Sequence, residues 1–199
     1  MLEIDKMGKV LHPMVKDSIS SHIEQGAMPV VKGIIVHQTD SSTASGTLSS
    51  YANPNANGAH FLIDKDGTIY QTASVFKKTY HVGRLRSRCL AEMTCEPAEL
   101  KIAQKWDVAG THKREMKKAV PERYPSNSDS IGIELVGKAY PVADKKAPPV
   151  FEAATPEQNS ALKWLVRELR ETLSVPLTEV YRHPVVSYKT PSEAESASW

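Results

Sequence analysis

The stretch Gly33-Ile34-Ile35-Val36-His37 is the best starting point for inferring the fold of this chain. It is an uninterrupted apolar run rich in β-branched residues, which is typical of a buried central strand. Far along the chain, Ser130-Ile131-Gly132-Ile133-Glu134-Leu135-Val136-Gly137 has the same character. Both stretches predict strands in the interior of a sheet.

Further elements are predicted on either side of the second stretch. Residues 59–64 and 68–72 are β-rich runs joined at Asp66-Gly67, which favours a hairpin because glycine tolerates a positive φ. Residues 43–51 are predicted to form a short helix. The best helix begins at Thr155-Pro156, with threonine as cap and proline in the first turn. Its apolar stripe has helical spacing and comprises Leu162, Leu165, Val166, Leu169 and Leu173. After this helix, Val180 and Tyr181 predict a last strand.

These elements predict one α/β domain over residues 1–199, with a central mixed β-sheet flanked by helices. Residues 1–32 are expected to be an irregular N-terminal approach segment, since prolines interrupt them. Residues 84–128 are polar and predict a surface insertion with short helices near 96–106 and 112–120. Residues 138–154, rich in proline, lysine and alanine, predict a surface loop.

Composition excludes several classes of protein. With 40% apolar residues, the chain is neither collagen-like nor wholly disordered, and its apolar runs are too short to cross a bilayer. A net charge of +2 with interspersed acids does not favour nucleic-acid binding. The first residues lack the pattern of a secretory signal, so we expect synthesis in the cytoplasm. Cys89 and Cys95 are either reduced thiols, as is usual inside cells, or a small-loop disulfide formed after export.

Two histidines at predicted strand ends suggest metal chemistry. His37 and His183 suit a catalytic zinc site, which needs three protein ligands and an open position for water. Either histidine alone is more often an ordinary hydrogen-bonding residue. A third ligand must lie near one of them, and Glu193 and Glu195 follow His183 closely.

Glu134 and Lys189 are candidates for proton transfer and charge stabilisation. Glu134 interrupts an apolar strand, so it faces either solvent or the wall of a pocket, where a rigid strand would hold a general base. Lys189 is either an ordinary surface lysine or, next to zinc, a group that stabilises an oxyanion.

Several motifs in one order carry a family resemblance. They are Val36-His37-Gln38-Thr39-Asp40, the run from Gly58 to Gln71, His81-Val82-Gly83, the run from Ser130 to Gly137, and Arg182-His183. In this order and spacing they resemble the zinc-dependent type 2 N-acetylmuramoyl-L-alanine amidases, whose fold is shared with the peptidoglycan recognition proteins. The resemblance runs from about residue 33 to the C-terminus, apart from 84–128 and 138–154.

The resemblance implies a site with one Zn²⁺ ion. It implies that His37 and His183 are zinc ligands, that Glu134 is the catalytic glutamate and that Lys189 is the catalytic lysine. The family's tyrosine position before the hairpin histidine is occupied by Ala59, which shifts the catalytic role to Glu134.

The third ligand departs from the family pattern. The family places an aspartate or cysteine two residues after the lysine, where this chain has Pro191, which cannot bind a metal. Glu193 is the nearest capable residue and is predicted as the third ligand, with Glu195 as the alternative.

Three more residues are predicted to contact substrate. His81, in His-Val-Gly, resembles the histidine that the family carries at the rim of its cleft. Thr39 belongs to the strand-His-x-Thr pattern, and His60 lies in the hairpin strand. For His60, packing or a supporting hydrogen bond is the alternative.

The implied activity is hydrolysis of the amide between N-acetylmuramic acid and L-alanine in peptidoglycan or its muropeptide fragments. The interpretation we favour is an antibacterial effector that acts in the periplasm of a target cell after secretion, with an immunity protein as partner. Alternatives are a muropeptide-binding recognition module without catalysis, an amidase that recycles wall fragments in the cytoplasm, and a phage lysin. The chain is expected to be a monomer without a membrane span.

Overall fold

In the computed structural model, which describes residues 1–199, six strands form one mixed β-sheet. Their spatial order is β1-β4-β3-β5-β2-β8, and all neighbours are parallel except the antiparallel pair of β3 and β4. Two further strands, β6 and β7, pair only with each other. The strands are β1 (Val15–Asp17), β2 (Gly33–Gln38), β3 (Phe61–Ile63), β4 (Ile69–Gln71), β5 (Ser130–Leu135), β6 (Ala139–Tyr140), β7 (Val150–Phe151) and β8 (Val180–Arg182).

Six α-helices accompany the sheet, and none of them has the length and apolar character needed to span a bilayer. The longest begins as predicted: Thr155 accepts a hydrogen bond from the backbone of Gln158, whose side chain accepts one from the backbone N–H of Thr155. The helices are α1 (Ala44–Tyr51), α2 (Arg88–Ala91), α3 (Pro97–Ala103), α4 (Val108–Glu115), α5 (Pro156–Leu173) and α6 (His183–Val186).

Alternation along β2 separates the core from the face that carries polar residues. Ile34 and Val36 pack in the main apolar cluster together with the buried stripe of α5. Ile35 faces the opposite side, in a smaller cluster, and His37 shares that side because side chains alternate along a strand. The main core therefore lies between the sheet and α5, and His37 emerges on the other face.

The predicted fold class is confirmed, as are its main elements. The hairpin of β3 and β4 turns at Gly67, whose φ of +83° lies in the region that glycine tolerates. The helix predicted at 43–51 is α1, capped by Thr43. Both apolar stretches are strands, and they lie side by side as β2 and β5.

Some local predictions were wrong. Residues 1–32 are not wholly irregular, because they contain β1, which joins the sheet edge beside β4, and Leu2 and Val10 reach the main core. The helix predicted near 112–120 is α4, which begins at Val108 because Asp107 caps it by accepting a hydrogen bond from Gly110. The segment 138–154 contains the short pair of β6 and β7.

Residues 84–128 carry α2, α3 and α4, are closed internally by a disulfide and contact the body through an ion pair. Cys89 and Cys95 form a disulfide. Of the two alternatives for these cysteines, the structure therefore has the small-loop disulfide and not the pair of reduced thiols. Next to it, the Arg88 guanidinium lies 2.9 Å from the buried carboxylate of Glu179, just before β8. The ion pair holds the start of the insertion against the β8 edge of the sheet, and the disulfide stiffens the adjacent turn.

Candidate metal centre

The site begins where β2 and β5 lie side by side. His37 and Glu134 are direct neighbours in the parallel register, so their side chains project from the same face. That face is opposite α5, because the flanking residues Ile133 and Leu135 belong to the main core. The sheet thus places an imidazole and a carboxylate next to each other on its open side.

His183 reaches the same place from the other side of β2. It directly follows β8, which pairs with β2, and it is the first residue of α6. Its Nε2 lies 2.8 Å from the backbone oxygen of Val82, and its Nδ1 lies 2.8 Å from Nδ1 of His37. Both rings are buried, so the two Nδ1 atoms face each other inside the protein.

Glu193 completes the cluster. Its Oε1 lies 2.8 Å from Nδ1 of His183 and 3.5 Å from Nδ1 of His37. A hydrogen bond from the backbone of Ala194 to the side chain of Gln38 ties this C-terminal turn to the end of β2. The alternative ligand, Glu195, is exposed and does not belong to the cluster.

The donor set fits a divalent metal ion. If the Nε2–H of His183 donates to Val82, then its Nδ1 carries a lone pair, as a metal ligand must. Tetrahedral bonds of about 2.0–2.1 Å separate neighbouring ligand atoms by about 3.3 Å, and the three separations here are 2.8, 2.8 and 3.5 Å. Two lone pairs and a carboxylate oxygen aimed at one point repel each other, and a cation between them removes that repulsion.

His81 supports His37 from behind. Nε2 of His37 lies 2.9 Å from Nδ1 of His81, whose Nε2 is 3.3 Å from the backbone oxygen of Ser130. A proton on each Nε2 satisfies both contacts and leaves Nδ1 of His37 free for a metal. Gly132 makes this possible, because a Cβ there would lie 2.7 Å from Nδ1 of His81.

The local electrostatics favour ligation. Burial, followed by the nearby His183, lowers the pKa of His37 to about 4, so the ring is neutral near pH 7. Burial alone would raise the pKa of Glu193, but hydrogen bonds to His183 and His37 outweigh it and hold that pKa at about 2. A neutral imidazole and an ionised carboxylate are the forms in which these side chains bind metals.

Glu134 is held by a tyrosine that the sequence did not single out. The hydroxyl of Tyr51, at the end of α1, lies 2.6 Å from Oε2 of Glu134, and the Tyr51 side chain is only 4% exposed. Burial raises the pKa of Glu134, and the hydrogen bond from Tyr51 opposes that rise. The backbone N–H of Ala59 also points at this hydroxyl, at 3.4 Å. A tyrosine therefore reaches the neighbourhood of Ala59 from a different element.

An open cavity of about 500 Å³ lies over the cluster. Lys189 lines it, and so do three polar residues that lie outside the motifs of the sequence analysis. For one of them, Asn57, the only signal in the sequence was its place in the predicted turn Asn53-Pro54-Asn55-Ala56-Asn57-Gly58. A larger cavity of about 590 Å³ beside Met28 and Leu173 lacks any cluster of this kind, so we place the site here. The missed residues are Asn57, Tyr80 and Asn127.

Two of the three residues predicted to contact substrate do not line this cavity. His60 has no exposed surface, its Nε2 contacts the oxygen of Lys77, and its Nδ1 accepts a hydrogen bond from Gly132. It is a supporting residue without access to substrate. Thr39 lies outside the cavity, where its hydroxyl accepts hydrogen bonds from the backbones of Ser41 and Gly137. Of the three, only His81 lines the cavity.

Comparisons with known proteins agree with this geometry. The sequence profile of a family described as "N-acetylmuramoyl-L-alanine amidase" matches residues 26–195. No curated protein sequence matches the chain.

Among solved structures, the fold is similar to that of an AmpD derivative, with 17% identity, a TM-score of 0.56, and 96% of this chain and 94% of that chain covered. It is also similar to PlyL, with 14% identity, a TM-score of 0.53, and 88% and 84% covered. A third is the endolysin N-acetylmuramoyl-L-alanine amidase LysCS from Clostridium intestinale URNW, with 18% identity, a TM-score of 0.50, and 89% and 85% covered.

Proposed function

The chain belongs to the N-acetylmuramoyl-L-alanine amidase family, and from this membership we propose that it hydrolyses the amide between N-acetylmuramic acid and L-alanine in peptidoglycan. The observation that carries the proposal is the convergence of His37, His183 and Glu193 on one point beside Glu134, at the floor of an open cavity. We propose these three side chains as the ligands of a single Zn²⁺ ion. Two imidazoles and a carboxylate are a ligand set that catalytic zinc uses.

When bound, such an ion supplies Lewis acidity towards a carbonyl oxygen and lowers the pKa of water in its open position to about 7. The remaining steps belong to this chain's own residues. Glu134, as a carboxylate, accepts a proton from the water whose oxygen bonds to the amide carbon. It then delivers that proton to the amide nitrogen as the C–N bond breaks, which releases the stem peptide with a free amine.

Lys189 and Tyr51 assist in different ways. The Lys189 ammonium lines the cavity and stabilises the negative oxygen of the tetrahedral intermediate. Tyr51 orients the Glu134 carboxylate by donating to Oε2, which leaves Oε1 for the proton transfer. His81 lines the cavity beside His37 and holds that ring in the orientation needed for ligation.

The experiment is digestion of purified sacculi, followed by mass analysis of the released peptides. Free peptides that begin at L-alanine, lost on chelation and restored by Zn²⁺, are the expected result. Glu134→Gln should bind zinc but release no peptide, whereas Glu195→Gln, the same change at an exposed carboxylate, should behave as wild type. If the wild type binds sacculi and releases nothing, then the protein is a recognition module and the catalytic assignment is wrong.

We further propose that the protein acts as an antibacterial effector in the periplasm of a target cell, where an immunity protein blocks the cavity. The Cys89–Cys95 disulfide supports this proposal, because disulfides persist in oxidising compartments. Expression targeted to the periplasm of a Gram-negative host should lyse the cells, while cytoplasmic expression should not. Lysis in neither case, with cleavage of soluble wall fragments, would favour the recycling alternative.

A further inference from the structure

A second cavity, of about 260 Å³, lies between the insertion and the segment that follows α6. Its lining includes two aromatic residues from different parts of the chain, Trp106 and Tyr188. Their ring centroids are 5.6 Å apart and their planes are nearly perpendicular, at 81°. The Arg86 guanidinium lies 5.4 Å from the centroid of Tyr188. We call these three residues the aromatic shelf.

The exposure of Trp106 has no explanation in folding. Its side chain is 85% exposed, so it contributes little buried apolar area. The turn that carries it is nevertheless ordered, because Asp107 caps α4 directly after it. Leu90, also exposed, adds apolar surface to the same cavity. An exposed indole beside the half-buried ring of Tyr188, at the mouth of a cavity, is an arrangement suited to binding a ligand.

The aromatic shelf continues the catalytic cavity. Residues 83–86 and 186–189 run side by side, joined by a hydrogen bond from the backbone of Arg86 to Val186 and by one from the hydroxyl of Ser187 to the oxygen of Arg84. Gly83 and Lys189 of these segments line the catalytic cavity, while Arg86 and Tyr188 line the shelf cavity. A ligand that leaves the catalytic cavity along this wall therefore meets the shelf.

The chemistry of the shelf cavity suits a sugar ring. A pyranose has apolar C–H faces that pack on aromatic rings and a rim of hydroxyl and amide groups that need hydrogen bonds. The shelf offers two aromatic surfaces, and the rim offers an amide, a carboxylate and a hydroxyl, in Gln104, Asp107 and Ser87. The lining carries two cations, Arg86 and Lys105, against one carboxylate, so the choice of a sugar ring rests on the paired aromatic rings and the hydrogen-bonding rim. The volume, below that of sites for drug-sized ligands, corresponds to about one saccharide unit.

We propose that the aromatic shelf binds an N-acetylated hexosamine of the glycan strand, adjacent to the muramic acid whose amide is cut. This inference rests on the proposed function and deepens it, because it identifies the polymeric strand, rather than a single released muropeptide, as the preferred substrate. The shelf supplies affinity for the strand at a distance from the reacting bond.

The test is calorimetric titration with the hexamer of N-acetylglucosamine, a glycan that has neither a stem peptide nor the scissile amide. The wild type should bind it, and Trp106→Ala and Tyr188→Ala should each weaken binding by about tenfold or more. Trp106→Phe should recover part of the loss. Tyr140→Ala removes an exposed aromatic ring outside both cavities and should bind as wild type.

Each outcome decides the proposal. The proposal is overturned if the wild type does not bind the hexamer, or if Trp106→Ala binds it equally well. It is also overturned if Trp106 is needed for binding a free stem peptide but not for binding the glycan. On sacculi, Trp106→Ala should lose more activity than it loses on a single N-acetylmuramoyl peptide. Because glycan binding requires no amide cleavage, a protein that binds the hexamer through Trp106 but cuts nothing refutes the proposed function alone.

Discussion

The hydroxyl of Tyr51 lies 2.6 Å from Oε2 of Glu134, and it joins the end of α1 to the middle of the sheet through the carboxylate proposed as catalytic base. The contact has two effects on Glu134. It restricts the rotation of the carboxylate. It also stabilises the ionised form and so lowers the pKa of Glu134, whereas burial raises that pKa.

Tyr51→Phe should therefore change the pH dependence of turnover. A general base must be ionised, so activity falls as the pH falls through the pKa of Glu134. Without the hydroxyl that pKa rises further, and the acid limb of kcat/KM should move to higher pH. Near neutral pH we expect a loss of about tenfold from poorer orientation. An acid limb in the same place as in the wild type would show that Tyr51 has no influence on the base.

Glu193→Gln and Glu195→Gln form a matched pair for the third ligand. An amide at 193 keeps the shape but removes the charge between the two imidazoles, so zinc affinity should fall at least about 100-fold. The Glu195 carboxylate is exposed and outside the cluster, so its loss should leave the affinity for zinc unchanged. Competition with a chromophoric chelator measures both variants. Equal affinities would remove Glu193 from the ligand set.

Gly132→Ala should disturb the metal site without altering a ligand. The added Cβ would lie 2.7 Å from Nδ1 of His81, the atom that contacts His37, so the His81 ring cannot keep its present position. Loss of such a supporting contact typically weakens metal binding about 10- to 100-fold. Zinc titration should reveal this loss, and circular dichroism should show an intact fold. Wild-type affinity would mean that His81 does not orient His37.

Thr155→Ala should lower global stability with little effect on chemistry. Its hydroxyl caps α5 by accepting from Gln158 and also donates to the oxygen of Lys65. Removal should cost about 1–2 kcal/mol in the free energy of unfolding, measured by urea denaturation with an unchanged m-value. Zinc affinity should be retained, because α5 packs on the face of the sheet opposite the cluster.

The site could be predicted only in part, and the separate residues show why. His37 and Glu134 stand at strand positions that alternation identifies, and His183 directly follows the predicted last strand. Glu193 could be predicted because it is the first carboxylate after His183 in the sequence. Tyr51 was not, since nothing in a helical segment indicates which strand its last residue will contact. His60 was assigned to substrate because a strand pattern does not reveal whether both ring nitrogens are already engaged.

Local patterns in the chain were enough to identify the strands, the hairpin at Gly67, the cap of α5 and the pair of histidines, because periodicity, capping and turn preferences act over a few residues. The meeting of two Nδ1 atoms and a carboxylate oxygen depends instead on long-range packing. The register of β2 against β5 and β8, and the bond from Ala194 to Gln38, bring segments about 150 residues apart to one point. The aromatic shelf likewise exists only because the insertion folds back beside Tyr188, which no short window of sequence contains.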